Sequence, residues 1–234
     1  MNNLLKKAKP RISVLTPTIR LKGLEIVRKS LEKQTFQDFE WLIGSSFDPK
    51  IKEAKWVKDN FKGGFWTFNR ISSKMCKAAK GEVVVFWQDF IWGPRDALEK
   101  FYNNVKANDA AISGVGDQYC RLDDYGRPVG KIWDDPRKSS RCGILYECFP
   151  NDWEINFAAI KRIDLERAGW FVDEADFHGY GGDNVLLAKK LDEQGMRFFL
   201  DKTLESRTLR HGRERKDWDD NHLMHSRFWV DFLK

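Results

Sequence analysis

The sequence lacks any apolar run long enough to form a membrane-spanning helix. Its amino terminus alternates Leu4 and Leu5 with lysines, in place of the apolar core of a secretory signal. We therefore expect a soluble protein in the cytoplasm. A peripheral membrane contact through the amino-terminal lysines is the open alternative to a solvated basic tail.

Cysteine and histidine are also scarce, with four residues of each. The cysteines form no CxxC pair and have no neighbouring histidines at the spacing of a zinc site. These absences argue against a zinc knuckle and a disulfide framework, so we expect reduced thiols. Internal repeats and low-complexity tracts are absent as well.

Basic and aromatic side chains are abundant. The 234 residues carry a formal net charge of +6, with 41 Lys and Arg against 35 Asp and Glu, so an acidic partner is plausible. Ten Trp and seventeen Phe exceed what a small core needs, which leaves rings for a ligand groove or an interface.

The first 45 residues predict the start of a parallel α/β sheet. Residues 11–16 form a short strand pattern, 21–33 repeat apolar residues at helical spacing, and 39–43 form a second strand. A short strand–helix–strand order is typical of parallel strands. The fold class is therefore α/β.

Later segments continue this alternation. Residues 64–68 are strand-like, and the segment from Asp117 to Pro150 contains a turn at residues 123–126 between two strand-like pieces. Helices are predicted at residues 69–80, from Pro94, at 163–168 and from Asp183 to Gly195. Further strands are predicted at residues 110–115, 157–160 and 196–200.

The segment GEVVVFWQDFIWGP, from Gly81 to Pro94, contains the first candidate site. Val83–Phe86 is a buried strand pattern, and Gln88 and Asp89 follow the strand directly. Ligands of open α/β sheets bind at the carboxyl ends of the strands, so Asp89 is a candidate ligand-binding residue. A helix cap or a turn is the alternative role of its carboxylate.

A glycine-rich loop contains the second candidate site. Gly179, Gly181 and Gly182 precede Asp183, which begins a predicted helix. Its carboxylate can cap that helix, belong to a functional site, or do both.

Together these segments resemble the family 2 glycosyltransferases over roughly residues 11–211. The first strand and loop ISVLTPTIR and the segment LEKQTFQDFEWLIG are similar to the nucleotide-binding half of the family. SKMCKAAKGEVVVFWQDF is similar to the helix and strand that lead to its acidic motif. WEINFAAIKRIDLERAGWFVDE and GYGGDNVLLAKKLDEQGMRF are similar to its acceptor side.

The resemblance implies a GT-A fold with a Rossmann-like, mostly parallel sheet between helices and a small antiparallel insertion on the acceptor side. It implies one domain over residues 11–211, a basic tail at 1–10, and an aromatic and basic extension at 212–234 that packs on the domain. The activity implied is transfer of a sugar from a nucleotide-diphosphate sugar, most often a UDP-sugar, to an acceptor hydroxyl with inversion.

The resemblance also assigns residues to roles. Asp89 and His211 would hold a divalent cation, Mn²⁺ or Mg²⁺. Asp183 would be the base that deprotonates the acceptor, with Asp173 and Glu174 as weaker alternatives. Gln88, Asp89 and Phe90 stand where the family has Asp, any residue and Asp, which leaves weak metal binding, a shifted register and no metal as alternatives. The donor-binding residues implied are Thr16, Pro17, Thr18, Arg20, Ser45, Lys74, Gln88 and Asp89.

Two other functions are alternatives to this one. A nucleotidyltransferase would have a glycine-rich basic loop after its first strand, and TPTIRLKG is not one. A nucleic-acid-binding protein is favoured by the pI and by the arginines at 207, 210, 213 and 215. An intermediate hypothesis is a transferase acting on a hydroxylated base in DNA. The sequence leaves three alternatives for the acceptor: a glycan, a lipid-linked sugar or modified nucleic acid.

Overall fold

The computed structural model describes residues 9–60, 68–171 and 183–209. For residues 183 and 184 it describes the backbone alone. The strands are β1 (Ile12–Pro17), β2 (Phe39–Ser45), β3 (Ala54–Lys58), β4 (Val83–Trp87), β5 (Ile91–Trp92), β6 (Ala110–Leu122), β7 (Pro128–Trp133), β8 (Leu145–Glu147), β9 (Phe157–Lys161) and β10 (Arg197–Leu209). The helices are α1 (Leu21–Glu32), α2 (Phe68–Ala78), α3 (Ala97–Asn108), α4 (Arg162–Arg167) and α5 (Asp183–Asp192).

All these strands belong to one 10-stranded sheet, whose main order is β3-β2-β1-β4-β9-β6-β10-β5. β1 pairs in parallel with β2 and β4, β2 with β3, and β6 with β10. β9 and β5 run against their neighbours, and β7 and β8 add antiparallel pairs to β6 and β10. The predicted α/β class, with its mostly parallel sheet and antiparallel insertion, is confirmed.

Helices cover both faces of the sheet. Val83, Val85 and Trp87 of β4 face one core cluster together with α1 and α3. Val84 and Phe86 face the other cluster with α2 and α5. Because both faces of β4 are buried, its sequence is continuously apolar and not alternating.

Several elements differ from the sequence-based boundaries. β3 lies in a charged stretch, residues 50–62, to which the sequence assigned no element. β6 and β10 extend well past residues 115 and 200, because their outer parts pair with each other and with the strands of the insertion. Phe68 begins α2 and does not end a strand, and the other residues of the predicted strand at 64–68 lie outside the described ranges.

The terminal segments of the domain prediction lie largely outside the described ranges, which begin at Lys9 and end at Leu209. The tail, the domain limits and the packing of the extension therefore remain predictions. None of the helices in the described part of the chain is long and apolar enough to span a bilayer.

Candidate functional site

The candidate site lies where the strand order changes direction. From β1 the chain crosses through α1 to β2 on one side, whereas β4 lies on the other side of β1. The carboxyl ends of β1 and β4 therefore flank a topological switch point, the usual ligand crevice of open α/β sheets. The loop containing Thr18 and Arg20 leaves β1 there, and Gln88 and Asp89 leave β4.

Asp89 forms a buried ion pair at this point. Its residue is 5% exposed, and Arg20 donates from Nη2 to Oδ1 at 2.8 Å and from Nε to Oδ2 at 3.1 Å. The hydroxyl of Thr18 donates to Oδ2 at 2.6 Å. Asp89 lies in the turn that follows β4, and its carboxylate does not cap α3, which begins after Asp96. The carboxylate instead anchors a bidentate guanidinium.

Arg20 keeps unused donors. A guanidinium has five N–H groups, and both hydrogens on Nη1 and one on Nη2 have no acceptor within the described residues. The side chain is 33% exposed and stacks on the ring of Phe90, with Cζ 4.9 Å from its centroid. Asp89 thus fixes one edge of the guanidinium, and the donors that have no acceptor in the described part of the chain can bind an anion.

The backbone beside Asp89 is strained. Phe90 has a φ of 63°, a left-handed conformation that costs a non-glycine residue about 1–2 kcal/mol. The α1 residue Gly23 lies against it, since a Cβ at Gly23 would be 2.6 Å from the Phe90 ring and 2.9 Å from Cβ of Asp89. Tight packing therefore holds the turn after β4 in a shape that presents Asp89 to Arg20.

A cavity of about 340 Å³ opens beside this pair, and we call it the front cavity. Arg20, Gln88 and Asp89 line one side. Asp135, Arg137 and Glu154 line another part, together with the backbone of Gly114 and Gly116.

The lining of the front cavity contains a second arginine–aspartate pair. Arg137 donates from Nε to Oδ1 of Asp135 at 2.9 Å and from Nη2 to Oδ2 at 2.5 Å. Burial would raise the pKa of Asp135, but the hydrogen bonds from Arg137 and from the backbone of Gly116 outweigh it and lower this pKa. Arg137 also donates to the carbonyl of Asp152 at 2.9 Å, and Glu154 lies 3.4 Å from its Nη2.

Of the predicted donor-binding residues, the structure brings Thr18, Arg20, Gln88 and Asp89 together. Thr16 is fully buried, donates to the carbonyl of Trp87 at 2.8 Å and accepts from the indole of Trp41. Its hydroxyl therefore joins β1 to its neighbouring strands.

The other three predicted donor-binding residues do not line the front cavity. Pro17 is buried in β1, and the Ser45 hydroxyl donates to the carbonyl of Phe47 at 2.5 Å. Lys74 is exposed on α2 and donates to the carbonyl of Lys58.

Two predicted chemical groups cannot be placed. Asp183 is the first residue of α5, but its side chain is not described, and His211 lies outside the described residues.

The chemistry of the described donor set does not suit a divalent cation. Both oxygens of Asp89 are already neutralised by Arg20, and nowhere in residues 9–60, 68–171 and 183–209 do three His, Cys, Asp or Glu gather into a metal-binding group. A hard cation normally takes several oxygen ligands.

Sequence reasoning missed Asp135, Arg137 and Glu154 as cavity residues. The first two lie in the irregular insertion at 117–150, and its richness in charged and aromatic residues was the only signal. Glu154 precedes β9, and its place in the cavity depends on how β9 pairs with β4 and β6.

No protein-family model matches the chain, and no curated protein matches its sequence. Among solved structures it is similar to GalNAc-T7, solved with UDP, GalNAc and Mn²⁺, with a TM-score of 0.64 and 13% identity. The likeness covers 88% of this chain and 45% of GalNAc-T7, so the chain spans less than half of that neighbour. The chain has a GT-A-like fold.

Proposed function

We propose that this protein is a glycosyltransferase that takes a sugar from a nucleotide-diphosphate sugar and transfers it to an acceptor hydroxyl. The observation that carries the proposal is the Arg20–Asp89 pair, which lies at the switch point of a GT-A-like sheet and lines the front cavity. The similarity to GalNAc-T7, which was solved with UDP and GalNAc, supports this class of donor. The motifs described above favour a family 2 enzyme and a UDP-sugar.

Arg20 has the chemistry to bind the donor diphosphate. Departure of the nucleotide diphosphate leaves negative charge on its oxygens, and a fixed cation stabilises that charge more in the transition state than in the ground state. Asp89 holds the guanidinium in place by two hydrogen bonds. Gln88 adds a neutral amide at the same rim.

The proposal routes no step through a metal, since the described donor set does not suit one. A role of Asp89 and His211 as ligands of Mn²⁺ or Mg²⁺ stays a prediction from the sequence. Because GalNAc-T7 was solved with Mn²⁺, the test below compares nucleotide binding in Mn²⁺ with binding in EDTA.

On the acceptor side, we propose that Asp183 is the general base and that the reaction inverts the sugar carbon. A carboxylate near the donor can remove the acceptor proton as the hydroxyl oxygen attacks in line. Asp183 begins α5, whose Leu187 and Leu191 are buried in the core cluster that also contains Phe86 of β4. The acceptor class is left among glycans, lipid-linked sugars and nucleic acid.

Thermal shift with a panel of nucleoside diphosphates, in Mn²⁺ and in EDTA, tests the proposal. A ligand at a hundred times its Kd stabilises the fold by about 2.7 kcal/mol, which is about 5–10 °C for a chain of this size. We expect one diphosphate to give such a shift and its sugar adduct to be hydrolysed, with Asp89→Ala abolishing hydrolysis. A panel without any stabilising nucleotide, together with no hydrolysis across a broad set of donors, would refute the function.

A further inference from the structure

A second cavity lies on the opposite face of the same strands. Neighbouring strand residues point to opposite faces of a sheet. Ser206 and Thr208 of β10 line the front cavity, whereas Glu205 and Arg207 line the other. The same division separates Ile91 from Trp92 in β5, so this rear cavity, of about 770 Å³, is separate from the candidate donor site.

Positive charge in the rear cavity is poorly compensated. Lys33, Arg95 and Arg207 line it, and the one carboxylate among its lining residues, Glu205, forms an ion pair with Lys138 at 2.6 Å. Arg95 is exposed and its guanidinium makes no hydrogen bond or ion pair within the described residues. Arg207 donates to the carbonyl of Gly126 at 2.8 Å, which leaves its positive charge uncompensated by that bond. Like charges held together repel each other, so an anion between them would be stabilised.

Aromatic rings form the other walls. The ammonium of Lys33 lies 4.9 Å from the ring centroids of both Trp92 and Tyr125. Trp92 is 6% exposed and forms the floor, whereas Tyr125 is 70% exposed at the rim. Gly126, with φ +75°, lets the β6–β7 turn close on Trp92, because a Cβ there would be 2.2 Å from the indole. The turn therefore holds an exposed ring beside a group of cations.

We propose that the rear cavity binds single-stranded nucleic acid. Cations that follow a phosphate backbone, combined with rings on which bases stack, are the recurring design of such sites. Unpaired bases are required, since Tyr125 can stack only on a base whose face is free. The net charge of +6 adds long-range attraction for the strand. The proposal goes beyond the sugar transfer at the front cavity and does not depend on it.

Fluorescence anisotropy tests this binding. A labelled oligothymidine of fifteen nucleotides is titrated with full-length protein at several salt concentrations. The triple variant Lys33→Gln, Arg95→Gln, Arg207→Gln removes the rear cations. A control of equal charge, Lys22→Gln, Lys52→Gln, Lys77→Gln, removes exposed lysines elsewhere. Each phosphate contact contributes about 0.7 to the slope of log K against log salt. We expect the rear variant alone to lose about two units of slope and at least tenfold in affinity.

Tyr125→Ala tests the ring without a change of charge, and we expect at least a fivefold loss of affinity. Equal weakening by the rear and control variants would show unspecific charge attraction and overturn the proposal. Inorganic polyphosphate or thymidine monophosphate competing as well as the oligonucleotide would also overturn it, because neither offers a strand of stacked bases. Nucleoside-diphosphate stabilisation should be unchanged in the rear variant, which separates this test from that of the front cavity.

Discussion

The role of Arg20 can be separated from its contribution to stability, because the chain contains a matched ion pair elsewhere. We predict that Arg20→Gln and Arg70→Gln destabilise the fold similarly, but that only Arg20→Gln weakens nucleoside-diphosphate binding. Arg70 donates to both oxygens of Asp59 at 2.8 and 2.9 Å. The carboxylate side chains are 3% exposed in Asp59 and 4% in Asp89, and the arginines are 26% and 33% exposed.

The size of the stability loss follows from this geometry. Removing one partner of a fully buried ion pair costs about 3–5 kcal/mol. Both arginines reach solvent, so water can hydrate the carboxylate that remains, and Thr18 still donates to Asp89. We therefore expect a loss of about 1–3 kcal/mol in each variant, which lowers Tm by about 2–12 °C.

The effect on binding is larger for Arg20 because its free donors line the front cavity. Hydrogen bonds to charged groups contribute about 1.5–3 kcal/mol, so Arg20→Gln should weaken the nucleotide Kd by about 10- to 150-fold. Isothermal titration calorimetry in EDTA, with the diphosphate found by thermal shift, measures both variants. Equal affinities of the two variants, or binding that returns to the wild-type value in Arg20→Gln once Mn²⁺ is added, would refute the assignment of phosphate binding to Arg20.

Two further predictions concern the insertion. Burial would raise the pKa of Asp117, but hydrogen bonds from Lys138 and Lys131 outweigh it and lower this pKa to about 2. The charged carboxylate therefore stabilises the fold above pH 4, and this stabilisation is lost as the pH falls toward 2. In denaturant titrations, the difference in unfolding free energy between wild type and Asp117→Asn should shrink by about 2 kcal/mol from pH 4 to pH 2. A difference that does not change with pH would contradict this. Gly126→Ala and Gly169→Ala both place alanine at φ +75°, but only at Gly126 would the new Cβ meet a neighbour, the Trp92 indole. Backbone strain alone should destabilise Gly169→Ala by about 1–2 kcal/mol. Thermal unfolding should show a further loss of about 1–3 kcal/mol in Gly126→Ala, because of the clash with the indole. Equal losses in the two variants would show that the turn does not pack on Trp92 as described.

Local patterns determined most of the first half of the fold. Alternation and continuous apolar runs predicted β1, β2 and β4, and the helical spacing of Leu24, Val27 and Leu31 predicted α1. β3 was missed because it is a short edge strand in a charged stretch, where only Val57 is buried. The lengths of β6 and β10 could not be predicted either, since their outer parts are held by pairing with each other and with β7, and not by their own hydrophobicity.

The sequence by itself determined that a carboxylate, Asp89, ends a buried parallel strand, because this depends on a run of neighbouring residues. Only the tertiary structure decided what that carboxylate contacts. Arg20 is 69 positions away in the chain and reaches Asp89 because β1 and β4 are adjacent and end together. The same reason explains Arg137 and the two cavities: strand order and register bring distant side chains to one face, and these pairings are not encoded in any local periodicity.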